Sequence, residues 1–234
     1  MPRSIFIGDV HSCADELEEL LGRVAATRDD AVFFVGDLVS RGPDPAGVLR
    51  LFRSAAAKSV VGNHEQRLLH ARAARASGAP MPKLGASHLA LLESLTDEDW
   101  ALIEELPLFL HAPEHAVLVV HAGIDEKVPL EEQDPWLVTH IRSIDDGKPS
   151  ERWGTPWGAS YVGPPHVVFG HNAQKGVQLH PSATGIDTAC VYGGALTALV
   201  LPKGSEPPPV GDRVDALVSV KARKEYVPYG HKMA

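Results

Sequence analysis

Apolar runs of four or five residues recur along the first quarter of the chain, each closing on glycine and then a polar side chain. Residues 4–8, Ser-Ile-Phe-Ile-Gly, are the first of these and predict a buried strand feeding a loop. Residues 31–36 predict a second strand and 58–62 a third. Helical patterns lie between them: 15–26, with Leu17, Leu20, Leu21 and Val24 on one face, and 45–56. Alternating strand and helix argues an α/β fold. In such sheets ligands gather at the carboxyl ends of strands.

The next segment changes character. Residues 65–77 are Ala-rich and helical, 78–85 form a Pro/Gly break, and 87–95 and 97–105 predict further helices. Thr96 followed by Asp99 resembles a capping box with Asp in place of Glu. This helical block is expected to form a cap beside the strand ends. Strands are predicted again at 117–121, 166–170, 185–191 and 196–201, with a mixed, partly helical pattern at 131–141. Residues 145–165 carry Gly, Pro and Trp without a clear period and predict an ordered loop, with Trp136, Trp153, Trp157 and Tyr161 expected to be buried. Residues 202–212, with three consecutive prolines, read as a linker, and 216–220 as an added edge strand.

Composition narrows the function classes. With 22 basic and 30 acidic residues, the formal charge is −8 and no basic tract interrupts it. DNA and anionic membranes are therefore poor partners, since phosphate neutralisation supplies most of such affinity. A small anionic substrate remains compatible if metals and a few arginines set the local field. The 2 cysteines, Cys13 and Cys190, make no CxxC and no disulfide framework, and read as small apolar fillers. There is no leader-like segment and no long apolar run, so a cytoplasmic protein is expected.

Five polar clusters follow predicted strands: 8-GDVH-11, 36-GD-37, 62-GNHE-65, 121-HAG-123 and 170-GHN-172. Oxygen and imidazole donors without sulfur suit manganese, iron or zinc rather than a structural zinc site. A metal pair needs a shared oxygen ligand, usually a carboxylate. Taken singly, each cluster is bland: an Asp after a strand caps a turn, and a lone His is a satisfied structural residue. Their joint order is what points to a metal centre. His70, His88, His111, His115, His140, His166, His180 and His231 lack the strand-end glycine and are read as structural or surface groups.

The ordered set GDxH, GDxVxRG, GNHE, HAG and GH resembles the PPP-type metallophosphoesterases, over residues 8–201. The resemblance implies a β-sandwich of mixed sheets flanked by helices. It also implies two divalent ions, manganese first with iron, zinc or cobalt as alternatives, that activate water for in-line attack on phosphorus. By the same resemblance Asp9 and His11 would hold one ion and Asp37 would bridge. Asn63, His121 and His171 would hold the other, His64 would assist the leaving group, and Arg41 would grip phosphate. Arg142, in 141-IRSI-144, is the candidate second phosphate arginine, with a surface role as the alternative. Lys175 and Tyr192 are further substrate-binding candidates, although solvation and core packing compete. The expected division is a catalytic domain over 1–201 with a cap at 66–107, a linker at 202–212 and an extension over 213–234.

The motif 36-GDLVSRG-42 departs from the protein phosphatases of the family, which carry Asp where Ser40 stands. That carboxylate would hold the GNHE histidine protonated; serine brings no charge. An alkoxide leaving group, whose conjugate acid resembles water with a pKa of about 15.7, needs that proton. A phosphate, with a pKa of about 6, leaves without it. General acid catalysis is worth about 10²–10⁴-fold, so serine disfavours esters and favours anhydrides. GDLVSRGP, VVFGHNA and GIDTACVYGGALTALVLP also resemble the diadenosine tetraphosphatase (ApaH) and ApaH-like branch. Symmetric cleavage of diadenosine tetraphosphate to two ADP is the expected reaction, with a phosphoprotein phosphatase as the alternative and a catalytically dead metal-binding module as a third reading. Ser12, Ala122, Asn172 and Ala189 depart from the residues common at their motif positions, without removing a ligand.

Overall fold

A computed structural model describes residues 3–173 and 176–228. Lys175 and His231 lie outside them. In chain order the first elements are β1 (Arg3–Ile7), α1 (Ala14–Arg23), β2 (Ala31–Phe34), α2 (Pro45–Ser54) and β3 (Lys58–Ser59). The helical block follows as α3 (Asn63–Ser77), α4 (Ala86–Ser94) and α5 (Asp97–Glu104). Next come β4 (Leu110–Ala112), β5 (Val117–Val119), α6 (Pro135–His140), β6 (Ser143–Asp145), β7 (Lys148–Ser150), β8 (Thr155–Pro156) and α7 (Trp157–Ser160). The chain continues through β9 (His166–Phe169), β10 (Gln178–Leu179), β11 (Ala183–Gly185), β12 (Ala195–Pro202) and β13 (Leu217–Lys221).

Two five-stranded mixed sheets, ordered β13-β12-β1-β2-β3 and β10-β11-β9-β5-β4, face each other. Strands β1, β2 and β3 are parallel, as are β5, β9 and β11; β12 runs antiparallel between β1 and β13. Alternation along each strand builds the layers. Phe6, Phe33, Val35, Val119, Val168, Leu199 and Leu201 point inward to the space between the sheets. Ile5, Ile7, Val32 and Phe34 point outward to the helices α1 and α2. Phe6 and Phe33 stack across neighbouring strands at 5.1 Å, and each such fully buried ring contributes about 1.5–3 kcal/mol. On the opposite flank Val167, Phe169 and Leu118 pack with Trp157 and Tyr161.

Several local rules hold. Asp44 caps α2, accepting from Gly47 N at 2.8 Å, with Pro45 in the first turn. The Thr96–Asp99 box forms in both directions, Asp99 N donating to Thr96 Oγ1 and Thr96 N to Asp99 Oδ2.

Other expectations change. Residues 145–165 are not a loop alone: β7, β6 and β8 make a small three-stranded sheet joined to α7. Trp157 and Tyr161 are buried, but Trp136 and Trp153 are 49% and 59% exposed. The strand expected at 185–191 ends at Gly185, because Asp187 takes the Ala189 N–H and turns the backbone away. Among the described residues no helix is long and apolar enough to cross a membrane.

Candidate active site

The loops that leave β1, β2, β3, β5 and β9 meet at one edge of the sandwich. His11 N donates to Asp37 O at 2.8 Å and Ser12 N to Leu38 O at 2.9 Å, which zips the first two loops together. The third joins through Glu65, which is fully buried. Its Oε2 accepts from Asp37 N (2.9 Å) and Gly62 N (3.0 Å), and its Oε1 from Val39 N (3.1 Å). Asp37 Oδ1 in turn accepts from His64 N at 3.1 Å. The Asp9 carboxylate receives His171 N at 3.1 and 3.2 Å, tying β1 to β9.

Glycine is required by this crowding. A methyl group on Gly170 would stand 1.9 Å from Asp9 Oδ1, and one on Gly62 would stand 2.2 Å from Asp37 Oδ1. His11, Ser12, Asp37, Ser40, Arg41, His171 and Ala189 adopt left-handed backbone angles without being glycine. Such strain costs about 1–3 kcal/mol each and concentrates where a site over-determines the chain.

Asp37 Oδ2 lies 3.5 Å from His11 Nε2 and 3.5 Å from His121 Nε2. His121 Nδ1 donates to Val35 O at 2.7 Å, so its Nε2 carries a lone pair. That nitrogen and His171 Nδ1 both approach Asn63 Oδ1, at 3.0 and 3.1 Å. His11 Nδ1 is buried without a hydrogen-bond partner. Lone pairs thus converge from Asp9, His11, Asp37, Asn63, His121 and His171 onto a common centre, the environment a cation pair satisfies. All six expected ligands are brought together.

The electrostatics of these groups suit a bound cation. Burial raises the Asp9 carboxyl, and the neighbouring Asp187 and Asp37 charges raise it further. Burial lifts Asp37 to about 7, Asp187 to about 6 and Glu65 to about 8. Burial also lowers the imidazoles: His121 to about 3, His11 and His64 further helped by Arg41, and His171 by Arg142. Neutral imidazoles beside carboxylates are the donor set of a divalent ion.

Arg142 is buried and Arg41 half-buried beside the same acids; burial lowers both guanidinium pKa values, and the neighbouring carboxylates oppose that shift. Arg142 Nη1 donates to His171 O and Asn172 Oδ1, each at 3.0 Å, so it is no surface arginine. Tyr192 stands under Arg41, 5.3 Å from ring centroid to guanidinium. His64 Nδ1 has Ser40 Oγ at 2.8 Å and His88 Nε2 at 3.0 Å. His88, expected to be structural or at the surface, is therefore part of the catalytic neighbourhood; α4 delivers it from the helical block. Sequence reading also missed Asp187 and the role of Glu65. Asp187 follows 185-GI-186 much as Asp9 follows Gly8, a signal that could have found it. A separate buried group, Cys13, Glu16 and Cys190, lies under α1, with Glu16 Oε1 accepting from Tyr226 OH and Arg223 N.

Comparison with known proteins bears on this geometry. Residues 2–200 match the calcineurin-like phosphoesterase family. The asymmetrical bis(5'-nucleosyl)-tetraphosphatase PrpE of Halalkalibacterium halodurans is 31% identical over 227 residues, covering 84% of this chain and 89% of that one. A symmetrical bis(5'-nucleosyl)-tetraphosphatase of Shewanella sp. (strain ANA-3) is 39% identical over 150 residues, covering 60% and 52%. A crystal structure described as a candidate diadenosine tetraphosphatase superposes with a TM-score of 0.79 at 34% identity, covering 95% of this chain and 96% of that one. A metallophosphoesterase from Sphaerobacter thermophilus shares the fold at 17% identity, with a TM-score of 0.51. The convergent donors and the match along most of the chain lead to one conclusion: this protein belongs to the calcineurin-like phosphoesterase family and is a metal-dependent phosphoesterase.

Proposed function

We propose that the enzyme hydrolyses phosphoanhydride bonds of dinucleoside polyphosphates such as diadenosine tetraphosphate. The observation that carries this reading is the Ser40 hydroxyl, rather than a carboxylate, 2.8 Å from His64 Nδ1. An O–H donated to Nδ1 leaves the proton of the neutral ring on Nε2. His64 then offers a hydrogen bond to the departing group without the driving force of an imidazolium. A leaving phosphate with a pKa of about 6 needs no more than that. Relatives covering most of the chain are named for this substrate class.

Asp9 and His11 would hold one divalent ion, Asp37 would be shared, and Asn63, His121 and His171 would hold the second. The ions supply Lewis acidity toward phosphoryl oxygen and lower the pKa of water. Arg41 and Arg142 bind the phosphoryl oxygens through charge-assisted hydrogen bonds and offset the charge that develops there. Manganese and a cytoplasmic setting belong to the same reading. So does a catalytic unit over 1–201, with 66–107 as its cap and 213–234 as an extension joined by 202–212.

The test compares turnover of diadenosine tetraphosphate and of a phosphoserine peptide under manganese. Faster turnover of the dinucleotide is expected, and faster turnover of the peptide overturns the reading in favour of a phosphoprotein phosphatase. Two ADP are the products of symmetric attack, and ATP with AMP those of asymmetric attack; ion-exchange separation of the products identifies the bond.

A further inference from the structure

Trp136 and Trp153 break the rule that large aromatic rings are covered: they are 49% and 59% exposed, while Trp157 and Trp100 are buried. Both lie one side chain away from His171. The Trp136 indole stacks on His140 at 4.8 Å and 7°, and His140 stands 6.1 Å from His171, whose ring is 5.1 Å from His121. The Trp153 indole covers the Arg142 guanidinium at 4.9 Å, and Arg142 Nη1 reaches the His171 carbonyl at 3.0 Å.

Neither ring hangs on a loose loop. Trp136 lies in the first turn of α6, its N–H taken by Asp134 at 2.9 Å, and α6 is docked to α3 by Thr139 Oγ1 donating to Gln66 Oε1 at 2.9 Å. Trp153 sits between β7 and β8, where Ser143 Oγ donates to Arg152 O at 2.8 Å and Arg142 N to Ser150 O at 2.8 Å. Two ordered, partly exposed indoles, one over the Arg142 guanidinium and the other against His140 beside His171, are the parts of a stacking platform. Such platforms accept any base, because every base has a π-face. The formal charge of −8 argues against a nucleic-acid strand as the occupant. Inorganic polyphosphate and phosphoserine offer no flat ring to fill it.

We propose that Trp136 and Trp153 form a nucleobase-binding platform that selects nucleoside polyphosphates over inorganic polyphosphate. The proposal deepens the dinucleoside polyphosphate reading and rests on it for the substrate class. Its test does not require that substrate to be correct. ADP and pyrophosphate are compared as competitive inhibitors of p-nitrophenyl phosphate hydrolysis by the manganese-loaded enzyme. Trp136→Ala and Trp153→Ala are each expected to weaken ADP relative to pyrophosphate by about 5-fold or more, the low end of one lost base stack. Trp→Phe at either position is expected to restore most of that ratio. An ADP-to-pyrophosphate ratio unchanged in both alanine variants overturns the platform, as does parallel weakening of both inhibitors. If the wild type prefers the phosphoserine peptide while the ratio still falls, the platform stands and the substrate reading fails.

Discussion

His88 Nε2 lies 3.0 Å from His64 Nδ1, on the same atom that Ser40 Oγ reaches at 2.8 Å. Two polar contacts on one ring nitrogen hold the His64 imidazole in place, and one of them comes from the helical block. Replacing His88 with Ala is therefore expected to lower kcat by about 10-fold, the low end of what losing a group that orients a site histidine costs. His88→Gln, which keeps a donor, is expected to recover part of the loss. Steady-state kinetics on diadenosine tetraphosphate checks this; equal loss in both variants would mean that packing alone matters.

Ser40→Asp introduces the carboxylate that the protein phosphatases carry. Burial and the Arg41 charge hold His64 well below its ordinary pKa, and a carboxylate against Nδ1 raises it. The variant should gain on p-nitrophenyl phosphate and phosphoserine peptide relative to diadenosine tetraphosphate, by roughly tenfold or more out of the 10²–10⁴ that acid catalysis can supply. Competition between the two substrates measures the ratio. An equal change for both would remove the leaving-group explanation of Ser40.

Glu65 touches no substrate, yet its carboxylate gathers the N–H groups of Asp37, Val39 and Gly62. Glu65→Gln keeps the shape and loses acceptor capacity, and Asp37, the carboxylate proposed to be shared, loses its fixed orientation. Metal affinity should fall about 10–100-fold, with activity regained at high manganese. Titration of metal-free enzyme with manganese gives the comparison.

Ala189 has φ +62°, a left-handed angle that costs a residue with a Cβ about 1–2 kcal/mol. Glycine there relieves the strain but adds freedom to the unfolded chain, worth about 0.4–1 kcal/mol. Ala189→Gly should raise unfolding free energy by up to about 1 kcal/mol. Urea unfolding in the presence of a chelator, which removes metal linkage, reads it.

Asp30 accepts from Arg3 N, Nε and Nη2 and from Thr27 N and Oγ1, over 2.8–3.2 Å. The Arg3 hydrogen bond holds its carboxyl below the ordinary carboxylate range. A depressed folded pKa contributes stability that is present above the unfolded pKa of about 3.9 and lost as pH falls through the folded value. Asp30→Asn should cost about 1–3 kcal/mol at pH 7, and the gap to wild type should begin to close below about pH 4. Unfolding midpoints across that range decide it.

The sandwich was legible because the apolar runs within 4–8 and 31–36 are unbroken, as strands buried on both faces require. The convergence of the polar clusters was legible because Asp9, Asp37, Asn63 and His171 each follow a glycine at a strand end, and His11 and His121 lie in clusters of the same kind. Residues whose role depends on distant packing were not. Nothing local distinguishes His88 from His70; only the fold of α4 over His64 does so. Trp136 and Trp153 were misjudged because hydrophobicity predicts burial, whereas their exposure follows from the short α6 and the small third sheet, both poor in local signal. Asp187 was hidden by reading 185–191 as strand when the backbone there turns.

Strand β1, which carries Asp9 into the centre, pairs on one side with β2 and on the other with β12, from Arg3↔Pro202 to Ile7↔Ala198. A nascent chain can therefore form only half of the bed on which Asp9 rests, and it waits for nearly the whole polypeptide to emerge before the second neighbour arrives. Pairings so distant in sequence close slowly. The strand that delivers Asp9 is thus completed late in synthesis, by a segment that begins only at Ala195.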